Sequence, residues 1–394
     1  MKKVLFVINN LNCGGAEKAL ISLLETIDYS KYEVDLYIFK HEGIFMSKIP
    51  KEVNLLAEPE YYKYFDMSCK KALIELLGKG KVKIAISRLL VPLAFKNAPN
   101  KAVAEQKLWK YLSNALPTLN KQYDVSIGYL EKTPTYFIID KVDSIKKIGW
   151  IHNDYEQLGM NKEIDKKYFK KLDYIFTVSQ KCLEVLRRNF PEYNIKLKLM
   201  NNIVSAKAIK RLAEEEIYDI NFDKNTINII SVGRLNYQKG YDLSIEACDL
   251  LVKRGYKINW IVIGEGEERN KLESKINDLN VGEYFKLVGM RENPYKYIKE
   301  ADIYVQASRF EGKSIAIDEA KILCKPIVIT NFSTSKDQII NNKNGVISDM
   351  NSLSLANNIE KVICDKNLMD EIVTNLKNKK IGNENEINRL YEVL

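Results

Sequence analysis

The sequence predicts an α/β protein made of two doubly wound, Rossmann-like domains. Three observations carry this. Short apolar runs alternate with longer amphipathic stretches, which is the pattern of parallel sheets. The alternation stops and restarts near the middle of the chain. A length of 394 residues is enough for two domains. With 46% apolar and 29% charged residues, the composition excludes a disordered or collagen-like chain. No run of about 18 uncharged apolar residues occurs, so no membrane-spanning helix is expected.

The elements follow in order. The apolar run at 4–8 comes after two lysines, but it is short and no small-residue cleavage site follows it. It reads as a buried first strand rather than a signal peptide. Further strands of the first half are expected at 34–39, 125–129, 147–151, 174–178 and 198–200. The second half restarts with strands at 227–232, 258–263, 285–288, 303–305, 326–329 and 345–347. Helical stretches such as 240–253 and 271–279 lie between them. The break falls in 205–224, where a charged helical piece (KAIKRLAEEE) runs into a polar loop. These limits give a Rossmann-like domain at 1–205, a second at 206–380, and a helix within 381–394 expected to pack back toward the first. In open parallel sheets, ligands bind beyond the carboxyl ends of the strands, so two such sheets facing each other would enclose a cleft.

Charge and special residues narrow the function. The formal net charge is +9. Residues 61–122 hold 12 Lys and Arg against Asp66, Glu75 and Glu105, together with Tyr61, Tyr62, Tyr64, Phe65, Phe95 and Trp109. Basic plus aromatic residues suit an anionic membrane or nucleic acid. No nucleic-acid motif supports the second, and a solvated lysine-rich face is the plain alternative. The six cysteines are scattered without a Cys-x-x-Cys pair, which fits a reducing cytoplasm. Only His41 and His152 are available to a metal besides cysteine and carboxylate, and no Asp-x-Asp occurs, so no metal site is expected.

Four stretches carry candidate chemistry. After the first strand come Asn9 to Cys13, then Gly14, Gly15, Ala16 and Glu17. Glycines there let a backbone approach a ligand, and a helix start offers N–H groups to an anion. The second is Gly233-Arg234-Leu235, with Lys239 and Gly240 close behind. A guanidinium and an ammonium a few residues apart, just past a strand, suit a diphosphate. The third runs from Ser308 to Ala320 and holds Glu311 and Glu319. Those carboxylates lie about 12 Å apart along the chain at about 1.5 Å per residue. A retaining glycosidase pair needs about 5–5.5 Å, so the spacing instead suits one ligand with two hydroxyl-bearing ends. A helix start between them would face phosphates. The fourth is Trp150-Ile151-His152-Asn153-Asp154, which puts His152 at a strand's carboxyl end.

Taken together, these residues resemble the family 4 retaining glycosyltransferases of the GT-B fold. The likeness rests on the GGAE turn at 14–17, the GRL and KG element at 233–240, and Glu-x7-Glu from Glu311 to Glu319. The loops IGEG at 263–266 and LVGM at 287–290, and WIHND at 150–154, also fit. The stretch FEGKSIAIDEAKILCKPIV looks most like bacterial enzymes that build capsular or related surface polysaccharides.

The resemblance implies roles residue by residue. Arg234 and Lys239 would bind the donor diphosphate, and Gly14 and Gly15 would bring N–H groups to it. Glu311 would hold the sugar hydroxyls and Glu319 the ribose. Met290 and Arg291 would lie near the base. Gly312, Lys313, Ser314 and Ile315 would line the phosphate end, and His152 would sit near the transferred sugar and the acceptor. Lys313 and Ser314 depart from the Phe and Gly common at those positions.

The implied enzyme is a metal-independent hexosyltransferase without a cofactor, moving a sugar from a nucleotide diphosphate, by family habit UDP. Its acceptor would be a glycan or a lipid-linked sugar. The place of work would be the cytoplasm or the inner face of the cell membrane, with 61–122 touching anionic lipid and no nucleic acid involved. As the sugar–phosphate bond breaks, negative charge builds where Arg234 and Lys239 wait. The alternatives are a nonhydrolysing sugar-nucleotide epimerase of the same architecture and a catalytically silent partner subunit.

Overall fold

A computed structural model of the chain describes residues 1–12, 14–96, 98–378 and 382–394. Cys13 of the first candidate turn, and residues 379–381 at the expected join to the terminal helix, lie outside the described residues. The chain divides into two compact units. The first comprises Met1–Asn12, Ala16–Asn201 and Ile387–Leu394, and the second is chiefly Asn202–Glu386.

The first unit carries seven parallel strands: β1 (Lys2–Ile8), β2 (Tyr32–Ile38), β3 (Asn54–Leu55), β4 (Leu119–Gly128), β5 (Val142–Ile151), β6 (Tyr174–Thr177) and β7 (Leu197–Leu199). Their order in the sheet is β3-β2-β1-β4-β5-β6-β7. The interior strand β1 buries five consecutive residues, as a strand covered on both faces must. Val4 stands opposite Val34 on one side and Val125 on the other. The unforeseen strand is β3. Two residues are too short for an apolar run, and β3 is held partly by Asn54 Nδ2 donating to Asp35 Oδ1 at 2.9 Å.

The second unit carries six parallel strands: β8 (Ile227–Val232), β9 (Ile258–Ile263), β10 (Phe285–Leu287), β11 (Ile303–Gln306), β12 (Ile327–Thr330) and β13 (Val346–Ser348). Their order is β10-β9-β8-β11-β12-β13. In each sheet the order of strand addition therefore reverses once, at β1/β4 and at β8/β11. Those reversals are the switch points where loops diverge and leave room for a ligand. One polar chain fixes the second. The Trp260 indole donates to Ser231 Oγ at 3.0 Å, and Ser231 donates to the Val305 carbonyl at 2.6 Å. Strands β9, β8 and β11 are thus tied in register across the core.

Two expectations are corrected here. The segment 61–122 does not present an aromatic surface. Tyr64 and Trp109 are buried, and Tyr61, Tyr62 and Phe65 pack against core clusters. Phe95 is the exposed one among those singled out. Towards the end of the chain, a 3-10 turn at Glu384–Glu386 precedes a helix at Ile387–Tyr391, instead of one continuous helix. That helix lies against the amino ends of the first sheet's strands. Tyr391 stacks on Tyr32 at 5.2 Å and accepts the Asp28 N–H at 2.8 Å. Lys2 and Lys146 donate to the carbonyls of Leu394 and Val393 at 2.6 and 2.8 Å.

A buried carboxylate organises the helices beside β4 and β5. Asp165 accepts from the Tyr155 hydroxyl at 2.5 Å, from Gln106 Nε2 at 2.8 Å and from the Tyr136 hydroxyl. Gln106 also brackets Asn161, accepting its N–H at 2.8 Å and donating to its carbonyl at 3.1 Å. Burial pushes the Asp165 carboxyl up from 3.8 to about 6, against the three hydrogen bonds that favour the anion. A carboxyl raised in the folded state adds stability at low pH and loses it as pH rises through its folded value. Relative to Asp165→Asn, the native protein should therefore lose roughly 3 kcal/mol as pH rises from below 3.8 to above about 6. Urea melts of both proteins at pH 3.5 and pH 7.5 measure this, and a constant difference would show that the Asp165 carboxyl is not raised by folding.

Candidate functional site

Every site residue of the second unit sits past the carboxyl end of a strand. Arg234 and Lys239 follow β8, Met290 and Arg291 follow β10, and Glu311 follows β11. Because β8 and β11 are neighbours at the switch point, residues more than 70 apart in sequence meet.

The meeting is direct. Lys239 Nζ contacts Glu311 Oε1 at 2.7 Å, with both side chains largely buried. The same oxygen accepts from Ser308 Oγ at 2.7 Å and Gln306 Nε2 at 3.1 Å. Oε2 meets only Gln238 Nε2, at 3.4 Å, among the described residues. One carboxylate oxygen is thus saturated, and its twin keeps capacity for a further donor.

The loop that carries Lys239 is clamped to the loop that carries Glu311. Arg309 forks onto Asp242 at 2.9 and 2.6 Å, donates to the Tyr237 carbonyl at 2.9 Å and lies 4.2 Å above the Tyr237 ring. Arg309 N–H donates to the Gln238 carbonyl at 2.7 Å, and Gln238 Nε2 returns a bond to the Phe310 carbonyl at 2.9 Å. Burial raises the Asp242 carboxyl, but the guanidinium holds it below its ordinary value. Gly240 closes the turn at φ +64, and a Cβ there would stand 2.1 Å from the Ala307 carbonyl oxygen. No other residue fits that contact.

The helix expected to begin near Lys313 begins at Ile315 and runs to Ile322, with Ser314 as its cap residue. Ser314 makes no side-chain cap bond. Its hydroxyl turns instead to Gln306 Oε1 at 2.8 Å. Its N–H and carbonyl are gripped by the Gln338 amide at 2.9 and 2.7 Å. The first turn therefore begins without the side-chain oxygen that ordinarily takes up its N–H groups. Glu319 is buried in the second turn and accepts from the Tyr295 hydroxyl at 3.3 Å. Lys313 Nζ stands 3.8 Å from Asp318, which also pairs with Lys321 at 3.0 Å.

Arg234 is exposed on its loop. Arg291 is committed to shaping the backbone. It donates to Asp219 at 2.7 Å and to the carbonyls of Val288 and Met290 at 2.6 and 2.9 Å. That clamp leaves Met290 exposed beside it. The loops after β8, β9 and β10 converge at Gly264, whose N–H donates to the Gly289 carbonyl at 3.0 Å. A Cβ on Gly264 would stand 1.9 Å from the Gly233 oxygen, so this convergence needs glycine.

Of the remaining candidates, His152 belongs to the first unit. His152 follows β5 and is buried between Tyr129, at 4.8 Å between ring centres, and Trp150, at 5.9 Å. Its Nδ1 and Nε2 have no hydrogen-bond partner among the described residues. Burial lowers its pKa from 6.5 to about 4, so the imidazole is neutral at physiological pH. Glu131, after β4, accepts the His152 N–H at 3.2 Å and Asn153 Nδ2 at 3.1 Å. Gly14 and Gly15 follow β1, and the helix Gly15–Thr26 begins at the second of them. A Cβ on Gly15 would meet nothing within 4 Å among the described residues, so packing does not demand glycine there.

Sequence reasoning missed Gln306, Ser308, Gln238, Gln338, Arg309 and Glu131. Gln306 carried a usable signal, a polar residue closing an otherwise apolar strand. Gln338 carried none, because only the fold brings it to Ser314. Among the described residues, no group of three or more His, Cys, Asp or Glu is placed to hold a metal ion.

Residues 213–379 match the family model described as Glycosyl transferases group 1. A Campylobacter jejuni protein named as an N-acetylgalactosaminyltransferase acting on a diphospho-undecaprenol-linked sugar is 27% identical, over 86% of this chain and 83% of that one. A Methanocaldococcus jannaschii protein, named only as an uncharacterised glycosyltransferase, is 28% identical over about half of each chain, 50% and 51%. Among solved structures, Staphylococcus aureus TarM, in a complex that includes UDP, superposes with TM-score 0.69 at 14% identity, over 100% of this chain and 99% of that one. Anabaena HepE, in complex with UDP and glucose, gives TM-score 0.69 at 16% identity with the same coverage. Residues 213–379 are thus similar to the group 1 glycosyltransferases, and the whole chain shares its fold with TarM and HepE.

Proposed function

We propose that this protein is a retaining glycosyltransferase that moves a sugar from a UDP-sugar to a glycan or lipid-linked acceptor of the bacterial cell surface, without a metal. The observation that carries the reading is the Lys239–Glu311 contact at the β8/β11 switch point. It sets a cation for phosphate beside a carboxylate with one oxygen open to a hydroxyl. The UDP in the TarM and HepE complexes supports the choice of donor. The diphospho-undecaprenol acceptor in the Campylobacter relative's name supports a lipid-linked one.

In this reading the donor's diphosphate takes Arg234, Lys239 and the uncapped first turn at Ile315. The N–H groups at Gly14 and Gly15 serve the same charge. A sugar hydroxyl donates to Glu311 Oε2, and the ribose hydroxyls donate to Glu319. As the anomeric carbon loses the phosphate oxygen, charge grows on the leaving group, where the cations and backbone dipoles stabilise it. The acceptor hydroxyl attacks from the face that the phosphate leaves, and a phosphate oxygen takes its proton. His152, neutral, supplies a hydrogen bond rather than a charge.

Thermal shift with UDP, GDP and ADP, each with and without chelator, tests the donor. A 100-fold excess over Kd adds about 2.7 kcal/mol of stability. UDP alone should raise the melting temperature, and chelator should change nothing; a shift that chelator abolishes would sink the metal-free reading. Arg234→Ala should erase that shift and lower kcat/KM by about 10²–10³-fold, roughly 2–4 kcal/mol. Being exposed, it should leave the ligand-free melting temperature within about 2 °C. A loss under threefold would mean that the diphosphate is held elsewhere.

Gly15→Ala separates packing from binding. Alanine fits and favours a helix, so stability should hold or rise by up to about 1 kcal/mol. The donor KM should nevertheless rise about tenfold as the methyl crowds the approach to the N–H groups. An unchanged KM would remove this turn from the site. His152→Ala should lower kcat by at least about tenfold while leaving UDP affinity within about twofold, following the split between transition-state and ground-state contacts. Equal turnover would give His152 a purely structural place.

A further inference from the structure

We propose that the aliphatic face of the helices Cys69–Gly78 and Val82–Lys96 seats the protein on an anionic lipid bilayer. In the second helix Val82, Ile86, Leu89, Leu90 and Leu93 recur at steps of three and four, forming one stripe, and all are exposed. Ile84, Ala85, Val91 and Ala94 form the opposite stripe and are buried. The helix is therefore apolar on two sides, with only one of them packed. Ile74 and Leu77 of the first helix and Phe95 add to the exposed set, with Ile74 at 63% and Leu89 at 57%. A soluble surface scatters such residues singly, and a contiguous group marks a surface that meets something apolar.

The charge around the face selects the occupant. Residues 61–96 hold eight basic side chains against Asp66 and Glu75. Lys70, Lys71, Lys79, Lys81, Lys83 and Lys96 are exposed beside the apolar stripe. Arg88 is the inward one. It donates to the carbonyls of Tyr64 and Met67 at 2.9 and 2.8 Å and fixes the helix to its neighbours. Leucine and isoleucine flanked by lysine match the acyl boundary and phosphate layer of an anionic membrane. A second copy of the chain would bring the same cations face to face.

No helix among the described residues is long and apolar enough to cross a membrane, so the contact is one of seating on the surface. It stands apart from sugar transfer and is read without donor or acceptor. The full chain is sedimented with phosphatidylcholine vesicles and with vesicles containing phosphatidylglycerol, at low and at physiological salt. The native protein should bind the anionic vesicles, and the pair Leu89→Ser with Leu93→Ser should reduce the bound fraction at least about tenfold. Lys79→Gln, Lys81→Gln and Lys83→Gln together should do the same at physiological salt. All these side chains are exposed, so the variants should keep the native melting temperature. Equal binding to neutral and anionic vesicles, or full binding by either variant, overturns the proposal. So does a native dimer that Leu89→Ser and Leu93→Ser split into monomers without lipid, which would assign the face to a second copy.

Discussion

A partly buried ion pair, Lys239 with Glu311, is the contact around which the second unit's loops are arranged. Taking two charges out of water is unfavourable unless geometry and further hydrogen bonds compensate. Here Ser308 and Gln306 donate to the same carboxylate oxygen that faces the ammonium. The Arg309–Asp242 fork keeps the two loops from drifting apart. All of this presupposes that β8 and β11 are neighbours, which the Trp260–Ser231–Val305 chain secures from inside the sheet. The order of strands, the clamp and the pair form one dependency, from core to surface.

The first unit solves a different problem. His152 is surrounded by aromatic rings and stripped of polar partners, yet both its nitrogens are retained in a buried place. Buried polar atoms are ordinarily paired, and an orphan costs about 1–3 kcal/mol. Glu131 holds the backbone at His152 and the side chain at Asn153 without touching the ring. The loop is thus fixed without a bond from Glu131 to the imidazole. The Asp165 hub anchors the far end of the same loop through Tyr155 and Asn161.

Much of this was legible in the sequence, for a physical reason. Strands buried on both faces must be nearly all apolar, so twelve of the thirteen announced themselves, and β3 escaped because two residues make no pattern. Arg234, Lys239 and Glu311 were visible because charged residues directly after a strand have few structural excuses. The partners of Glu311 were not, since Gln238 and Gln306 are ordinary polar residues until the sheet order brings them to one carboxylate. The aromatic residues of 61–122 misled for the converse reason. Aromatic rings beside lysines read as surface, but these rings fill the space beneath short helices, and the exposed apolar area is aliphatic.

The return of Ile387–Leu394 to the first unit bears on how the protein is made. Synthesis delivers residues 1–201 first, yet Tyr32 and Lys146 gain their partners only from the last stretch of the chain. At about 5–20 residues per second, the ribosome needs roughly ten to forty seconds to produce the second unit in between. For that interval the first unit is a nascent domain with one edge unsealed and its amino-terminal strand already committed. A chaperone that shields Tyr32 would find its opportunity there, since the whole second unit must be synthesised before the first can close.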